Sequence, residues 1–477
     1  MGTVLMESLN AWWPEAIVSA GALLVILLAP APKKSLVWGA TWVTLAAAGA
    51  ALTASPASSV GLFFGLITCD PFSLVFRWVA LASTAIVILL SAGSRETAAS
   101  SSGESLGLIL LIGVGLMLMA EASHLLMAYV AMELVSLSSY ALVGFLHDRR
   151  SAEASLKYLL FGALASGLML VGMSLLFGLT GALAFPDLLR AVSGLGEPQA
   201  GALVLSATLM LAGLAFKISM VPFHMWTPDA YEGAPVAVTA LLSVGPKAAG
   251  LALLMRLLEA LGPLWSSLAP LLLGLTVVTM TLGNLVALVQ ANVKRLLAYS
   301  TIGQVGYLLI GLAVATPAGR EALFVYLVAY LFMNLGAFAC VIAVVNDTGS
   351  ESVDAFRGLS RRAPALALSC ALFLLSLAGI PPLLGFLGKF LLFGSAIAAG
   401  ELWLAIAAAI NSALALYYYV NLIRLMYFVE PANTGPLLTH PLLRLATVIC
   451  AAATVWLGLF PGVLLELLGV QASANLL

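Results

Sequence analysis

The sequence predicts an all-α polytopic membrane protein of about fourteen transmembrane helices, with two inverted five-helix repeats that each contain a Pro-broken helix. Three observations predict it. First, 62% of the 477 residues are hydrophobic, 9% are charged, and the mean hydropathy is +1.11. A soluble protein of this length needs far more polar surface. Second, the apolar runs are long and do not alternate with polar residues. Only helices and closed barrels satisfy the backbone in lipid, and barrel strands would alternate, so the runs are helices. Third, the pattern EAxxxYL occurs at Glu153–Leu159 and again at Glu321–Leu327. A similar shift carries the span holding Pro222 onto the span holding Pro381 and Pro382.

In chain order the spans fall at roughly 15–31, 36–54, 71–93, 105–120, 124–146, 154–180, 202–226, 233–260, 266–290, 296–315, 321–345, 364–397, 401–428 and 441–470. The first three form an N-terminal unit over 1–104. The fourth to eighth form a first repeat over 105–260, and the ninth to thirteenth a second over 261–430. Residues 431–477 hold the last span. Five spans are an odd number, so the second repeat is inverted relative to the first. Inverted repeats with broken helices at mid-membrane are a transporter design.

Positive charge sets the orientation. Lys33, Lys34, Arg95, Arg149, Arg150, Lys157, Lys294, Arg295, Arg357, Arg361, Arg362, Arg424 and Arg444 fall on one side; only Arg190, Arg256 and Arg320 fall on the other. The basic side is cytoplasmic in a cell membrane, and both termini then lie outside. Arg77, just inside the third span, is expected to snorkel. Lys294-Arg295 and Arg361-Arg362 are most simply topology determinants.

Several functions are not indicated. The cysteines (Cys69, Cys340, Cys370, Cys450) form no CxxC pair, so nothing points to a metal site or an iron–sulfur cluster. There is no GxGxxG or Walker pattern and no basic block suited to nucleic acid. The N-terminus has no basic n-region, so the first apolar run reads as a span and not a cleaved signal.

The three remaining basic residues, Lys217, Lys247 and Lys389, lie inside spans, and among the acids only Glu133 sits clearly mid-span. A charge near the middle of a bilayer costs about 2.5–3.5 kcal/mol on insertion scales, and such residues mark ion pathways. Pro222 and Pro381-Pro382 should break their helices and open polar pockets at depth. Lys217 precedes Pro222 by five residues, and Glu133 is its obvious counter-charge. The alternative is an ion pair that only fixes packing. Lys247 follows Gly245-Pro246, read as another helix interruption. Lys389 lies beyond its proline pair, in the outer half, where it could also snorkel. His224 is two turns from Lys217 on the same face; a relay role and a hydrogen-bonded core role are equally open. Tyr299, Tyr307, Tyr330 and Tyr417–Tyr419 are read mainly as aromatic packing.

The runs FKISMVPFHMWTPDAYEGAP, SLAGIPPLLGFLGKF, NVKRLLAYSTIGQVGYLL and EASLKYLL resemble the subunit N family of the proton-pumping NADH:quinone oxidoreductase, respiratory complex I. The resemblance covers about Glu121 to Tyr427; the first three spans and the last are similar mainly in hydrophobicity. It implies an antiporter-like pump subunit in which Glu133 pairs with Lys217, and Lys247 and Lys389 continue the axis. A lysine at the last position separates this subunit from paralogues that carry glutamate there. Gly245-Pro246 departs from the family, which has small or hydroxyl residues there. The second repeat has no acid equivalent to Glu133; Gly303 and Gln304 fall near that place.

The resemblance further implies a chain with no bound cofactor: NADH, FMN, iron–sulfur clusters and quinone belong to other subunits of the complex. Expected neighbours are the antiporter-like subunit M and the small subunits K and J. The expected function is proton translocation by a subunit of a quinone-reducing enzyme. A cation/proton antiporter subunit is one rival reading, and a structural scaffold of the membrane arm is another.

Overall fold

The computed structural model describes residues 2–55, 61–99, 102–195, 197–431 and 435–468. The chain runs through α1 (Gly2–Ala11), α2 (Trp13–Leu27), α3 (Lys34–Ala54), a hairpin of β1 (Gly61–Leu62) and β2 (Ile67–Thr68), α4 (Pro71–Gly93), α5 (Arg95–Ala99) and α6 (Ser102–Glu121). It continues through α7 (Leu125–Val143), α8 (Arg149–Thr180), α9 (Phe185–Gly194), α10 (Glu197–Ile218), α11 (Trp226–Gly233), α12 (Val236–Ala260), α13 (Trp265–Ala287) and α14 (Val293–Ala313). Then come α15 (Pro317–Thr348), α16 (Leu359–Arg362), α17 (Pro364–Ala378), α18 (Leu384–Ala398), α19 (Leu402–Phe428), α20 (Pro441–Leu459) and α21 (Pro461–Leu467). Among the described residues, twelve helices are long and apolar enough to cross a membrane. The shorter α2 and the α17–α18 pair, a helix in two pieces, bring the spans to fourteen. The ends of the bundle are named here by what they carry: the hairpin face and the basic face.

The sequence misplaces some boundaries. The expected span 202–226 ends at Ile218, because Ser219 turns left-handed at φ 65°. The span 364–397 divides at Gly379, φ 90°. The span 441–470 stops at Leu459, before Pro461, and its residues 469–470 lie outside the described residues, as do 432–434 and 471–477 of the C-terminal unit. Pro246 does not interrupt its helix. α12 continues through it and is buried along its length; only the hydrogen bond to the Leu242 carbonyl is lost, because proline has no N–H. Gly245 serves close packing: a methyl there would lie 2.7 Å from Leu116 Cδ1 on α6.

Two stretches match at a constant offset. Asp148 caps α8 by accepting from Ser151 N, and Thr316 caps α15 by accepting from Gly319 N. Both helices have 32 residues and end at a left-handed glycine, Gly181 and Gly349, each at φ 66° and ψ 10°. His124 bridges Ala184, and Asn292 bridges Ser352. Every pair is 168 residues apart. The two breaks also match, at 160: Met220 N donates to the Ala215 carbonyl at 2.8 Å, Ile380 N to the Leu375 carbonyl at 3.0 Å, and Val221–Pro222 and Pro381–Pro382 are both cis. Five spans separate the start of α7 from the start of α14, so matched positions lie on opposite faces.

Charge pairs join the halves on the basic face. Arg150 pairs with Glu232 and Glu351 at 2.8 and 2.7 Å; Arg295 pairs with Asp229 and Glu232 at 2.8 and 2.7 Å. Lys294 is fully buried and donates to Glu351 at 2.7 Å and to the Ala234 carbonyl at 2.6 Å. These residues are structural ties as well as topology signals. Arg77 does not snorkel. It lies at 1% exposure between Glu15 and Glu121, 2.8 Å from each, because α2, α4 and α6 pack together beneath the hairpin.

Candidate functional site

Lys217 sits one residue before α10 ends and is fully buried. Its Nζ donates to Ser136 Oγ on α7 at 2.9 Å. Glu133, one turn earlier on α7, accepts from Ser166 Oγ of α8 at 2.5 Å. The fold therefore brings the two ionisable groups to one turn of α7, with no direct ion pair between them. Glu133 is half-buried and lies on the stripe of α7 that carries Leu126, Val130 and Leu137, each at least 50% exposed. That apolar stripe faces outward from the chain.

The break after Lys217 frees backbone groups that side chains then satisfy. Trp226 Nε1 donates to the Phe216 carbonyl at 3.0 Å, and Val221 N donates to Thr279 Oγ1 at 3.2 Å. His224 lies in this non-helical stretch. The left-handed turn at Ser219 ends the helix that was to carry it beneath Lys217, so the shared face does not form. His224 is half-buried, and its Nδ1 has no hydrogen-bond partner.

Lys247, on α12, is fully buried and its Nζ has no hydrogen-bond partner. It faces the rings of Trp226 at 4.7 Å and Tyr231 at 5.4 Å, both from α11. Ring faces attract an ammonium but do not replace its lost donors, so the group depends on water to stay charged.

Lys389 does not reach an interface. It is 2% exposed, and its Nζ donates to Ser412 Oγ at 2.9 Å and to the Ala378 carbonyl at 3.2 Å, a carbonyl freed by the second break. The Tyr307 ring lies 4.3 Å away.

Between Lys247 and Lys389 runs a set of neutral polar side chains that the sequence reading took for packing or passed over. Asn334 Nδ2 donates to Ser243 Oγ at 2.6 Å, one turn from Lys247. Tyr330 OH donates to the Ser243 carbonyl and is hydrogen-bonded with the Thr301 hydroxyl, each at 3.0 Å. Gln304 donates to Tyr419 OH at 3.2 Å and to the Leu377 carbonyl at 3.1 Å, and accepts from Tyr326 OH. Asn284 donates to Tyr307 OH at 3.2 Å and accepts from Tyr418 OH at 3.0 Å. Tyr417, by contrast, is 67% exposed. The available signal was the amides: Asn284, Gln304, Asn334 and Asn411 all sit inside apolar spans. The offset of 168 places Thr301, and not Gly303 or Gln304, opposite Glu133.

Among the described residues no group of three or more His, Cys, Asp or Glu side chains is placed to hold a metal ion. What the arrangement offers is a line of titratable and hydrogen-bonding groups at depth.

Comparison with known proteins gives the family and the fold. A family model described as NADH:quinone oxidoreductase/Mrp antiporter, TM, matches residues 122–415. The "NADH-quinone oxidoreductase subunit N 2" of Sorangium cellulosum is 44% identical over 96% of both chains. The "NAD(P)H-quinone oxidoreductase subunit 2" of Synechococcus elongatus is 42% identical over 90% of this chain and 85% of its own. Among solved structures, a chain of respiratory complex I from Thermus thermophilus with bound Aureothin is 34% identical, covers 95% of this chain and 98% of its own, and superposes with a TM-score of 0.81. A chain of the Mrp complex from Dietzia sp. superposes at 0.83 over 99% of this chain and 97% of its own, but at 24% identity it shows the shared fold alone. The broken helices, the buried lysines and these relatives together place the chain in the NADH-quinone oxidoreductase subunit N family.

Proposed function

We propose that this chain carries protons across the membrane arm of an NADH:quinone oxidoreductase. Three lysines at 2% exposure or less, with hydrogen-bonding side chains between the last two, carry that reading. Redox energy released in other subunits, where NADH, FMN, iron–sulfur clusters and quinone are expected, reaches this chain as a change of charge or hydration at one end of the axis. Glu133 and Lys217 then change separation across one turn of α7, and the proton affinity of Lys217 changes with it. Water and the tyrosine–amide set pass the proton from Lys247 to Lys389, which releases it outside.

Residues 105–260 and 261–430 act as the two half-units; the matched caps and breaks support this division. The outward stripe around Glu133 suits a protein neighbour, and the paralogous subunit M with small subunits K and J are the candidates. The basic face is cytoplasmic, which leaves both termini outside. His224, away from Lys217, is at most a side branch of the path.

The test is proton uptake into vesicles during quinone reduction by the whole complex. Lys217→Ala and Glu133→Ala should each leave the complex assembled and cut pumping about tenfold or more. The double variant should lose little beyond either one, because the pair acts as a unit. Wild-type pumping by either assembled variant removes the pair from the path; loss of assembly in both favours the scaffold role.

A further inference from the structure

The transfer row leaves one buried charged cluster unused. Beneath the hairpin, Arg77 donates Nε and Nη2 to the two oxygens of Glu15, each at 2.8 Å, and Nη2 also to the Ala11 carbonyl at 3.3 Å. Glu121 Oε1 lies 2.8 Å from the same Nε, whose N–H is already directed at Glu15. Among the described residues its one hydrogen-bond donor is the Cys69 thiol at 3.4 Å, and its Oε2 has none. All three charged side chains are at most 2% exposed.

The other charges around the cluster are already matched. Asp70 pairs with Arg256 of α12 at 2.7 Å and caps α4 by accepting from Ser73 N. Arg256 also donates to the Ala120 carbonyl at 2.7 Å. His124, three residues beyond Glu121, accepts from Leu126 N through Nδ1. Among the described residues, two carboxyls therefore share one guanidinium, with no further cation facing them. Two oxygens that each lie 2.8 Å from one nitrogen are at most twice that distance apart. At that spacing, and shut off from water, two carboxylates do not both stay ionised beside a single positive charge. A proton on one of the two carboxyls removes the excess charge.

We propose that Glu15, Arg77 and Glu121 form a second proton-holding site, with one proton shared between the two carboxyls and exchanging with water at the hairpin face. Glu121 is the last residue of α6, so the site lies just beneath the hairpin, held by Ser123 N to the Leu66 carbonyl at 3.1 Å, and the end of α1. On release, the Glu121 O–H bond breaks, water takes the proton, and the carboxylate left behind faces Arg77 and the Cys69 thiol. Reprotonation from water closes the cycle. The use of this proton in transport rests on the proton-translocation reading; its existence does not. α12 joins the two sites, since Lys247 and Arg256 are nine residues apart on it, about 13 Å of helix rise.

Infrared difference spectroscopy of the whole complex, variant against wild type at neutral pH, tests this through the protonated-carboxyl C=O stretch. Glu121→Gln and Glu15→Gln are near-isosteric, and each leaves one carboxylate with Arg77. Each should lose the band of one protonated carboxyl per chain, a band that shifts in wild type on transfer to D2O. Cys69→Ala should keep it. Lys217→Ala should also keep it while losing pumping, so failure of this site and failure of the transfer row are read separately. Loss in only one glutamine variant, or in neither, overturns the shared proton.

Discussion

The two halves of the protein use one backbone device with different chemical partners. Each has a broken helix with a left-handed turn and a cis proline, and each places a buried lysine near the break. In the first half Lys217 precedes the break, has one hydroxyl partner, and shares a turn of α7 with a carboxyl that faces outward. In the second, Lys389 follows the break and holds a freed carbonyl, a hydroxyl and a ring face, all from this chain. Where the first half has Glu133 the second has Thr301, bonded to Tyr330. The first half thus turns its carboxyl outward from the chain, and the second is closed by its own side chains. Inversion keeps the backbone geometry and leaves the side chains free to diverge.

Thr180 and Thr348 occupy the same place in the two halves, each next to a terminal left-handed glycine. If the halves are inverted, cysteines at these positions report opposite sides. The four native cysteines are buried, which keeps background labelling low. In right-side-out vesicles, an impermeant thiol reagent should label Thr180→Cys fully and Thr348→Cys not at all. Labelling of both from one side would break the comparison.

A smaller effect is expected at Lys389. Lys389→Met cannot titrate and should lose most of the pumping. Lys389→Glu can still bind and release a proton and should keep part of it, with both complexes assembled. Equal, near-normal pumping by the two variants would end the path at Lys247.

The smallest effect concerns the tie between the halves. Burial pushes the Glu351 carboxyl up, but Lys294, Asn292 and Arg150 together hold it below the usual carboxylate range. A lowered native value means that its contribution is complete above the unfolded value, about 4.3, and fades as pH falls through the native one. Glu351→Gln should destabilise the chain by about 1–3 kcal/mol at neutral pH, seen as a lower thermal midpoint in detergent. The gap to wild type should narrow below about pH 4. A gap that persists in acid would assign the loss to packing.

The spans, the breaks and the three lysines were legible because a charge or a proline inside an apolar run has few bland explanations. Arg77 was not, because its partners come from helices 62 and 44 residues away in sequence, and only the packing of α2, α4 and α6 brings them together. Pro246 misled because a buried helix can absorb one missing hydrogen bond, whereas Ser219 and Gly379 reverse the chain's direction. His224 was placed by counting along a helix that ends six residues before it. Tyr418 and Tyr419 both point inward while Tyr417 points out, because α19 packs against several neighbours at once.

Gln304 carries a consequence of its own. Hydroxyls such as those of Tyr330, Tyr326 and Tyr419 accept a proton on one side and give one up on the other. An amide has a fixed donor end and a fixed acceptor end. Gln304 stands between Tyr326 and Tyr419 with Nε2 and Oε1 both engaged. The hydrogen bonds run through Gln304 from Tyr326 to Tyr419, but a proton does not hop along them: Gln304 is an insulating bead on the wire. A proton gets past this bead only on water beside it, so the side chains alone do not carry it.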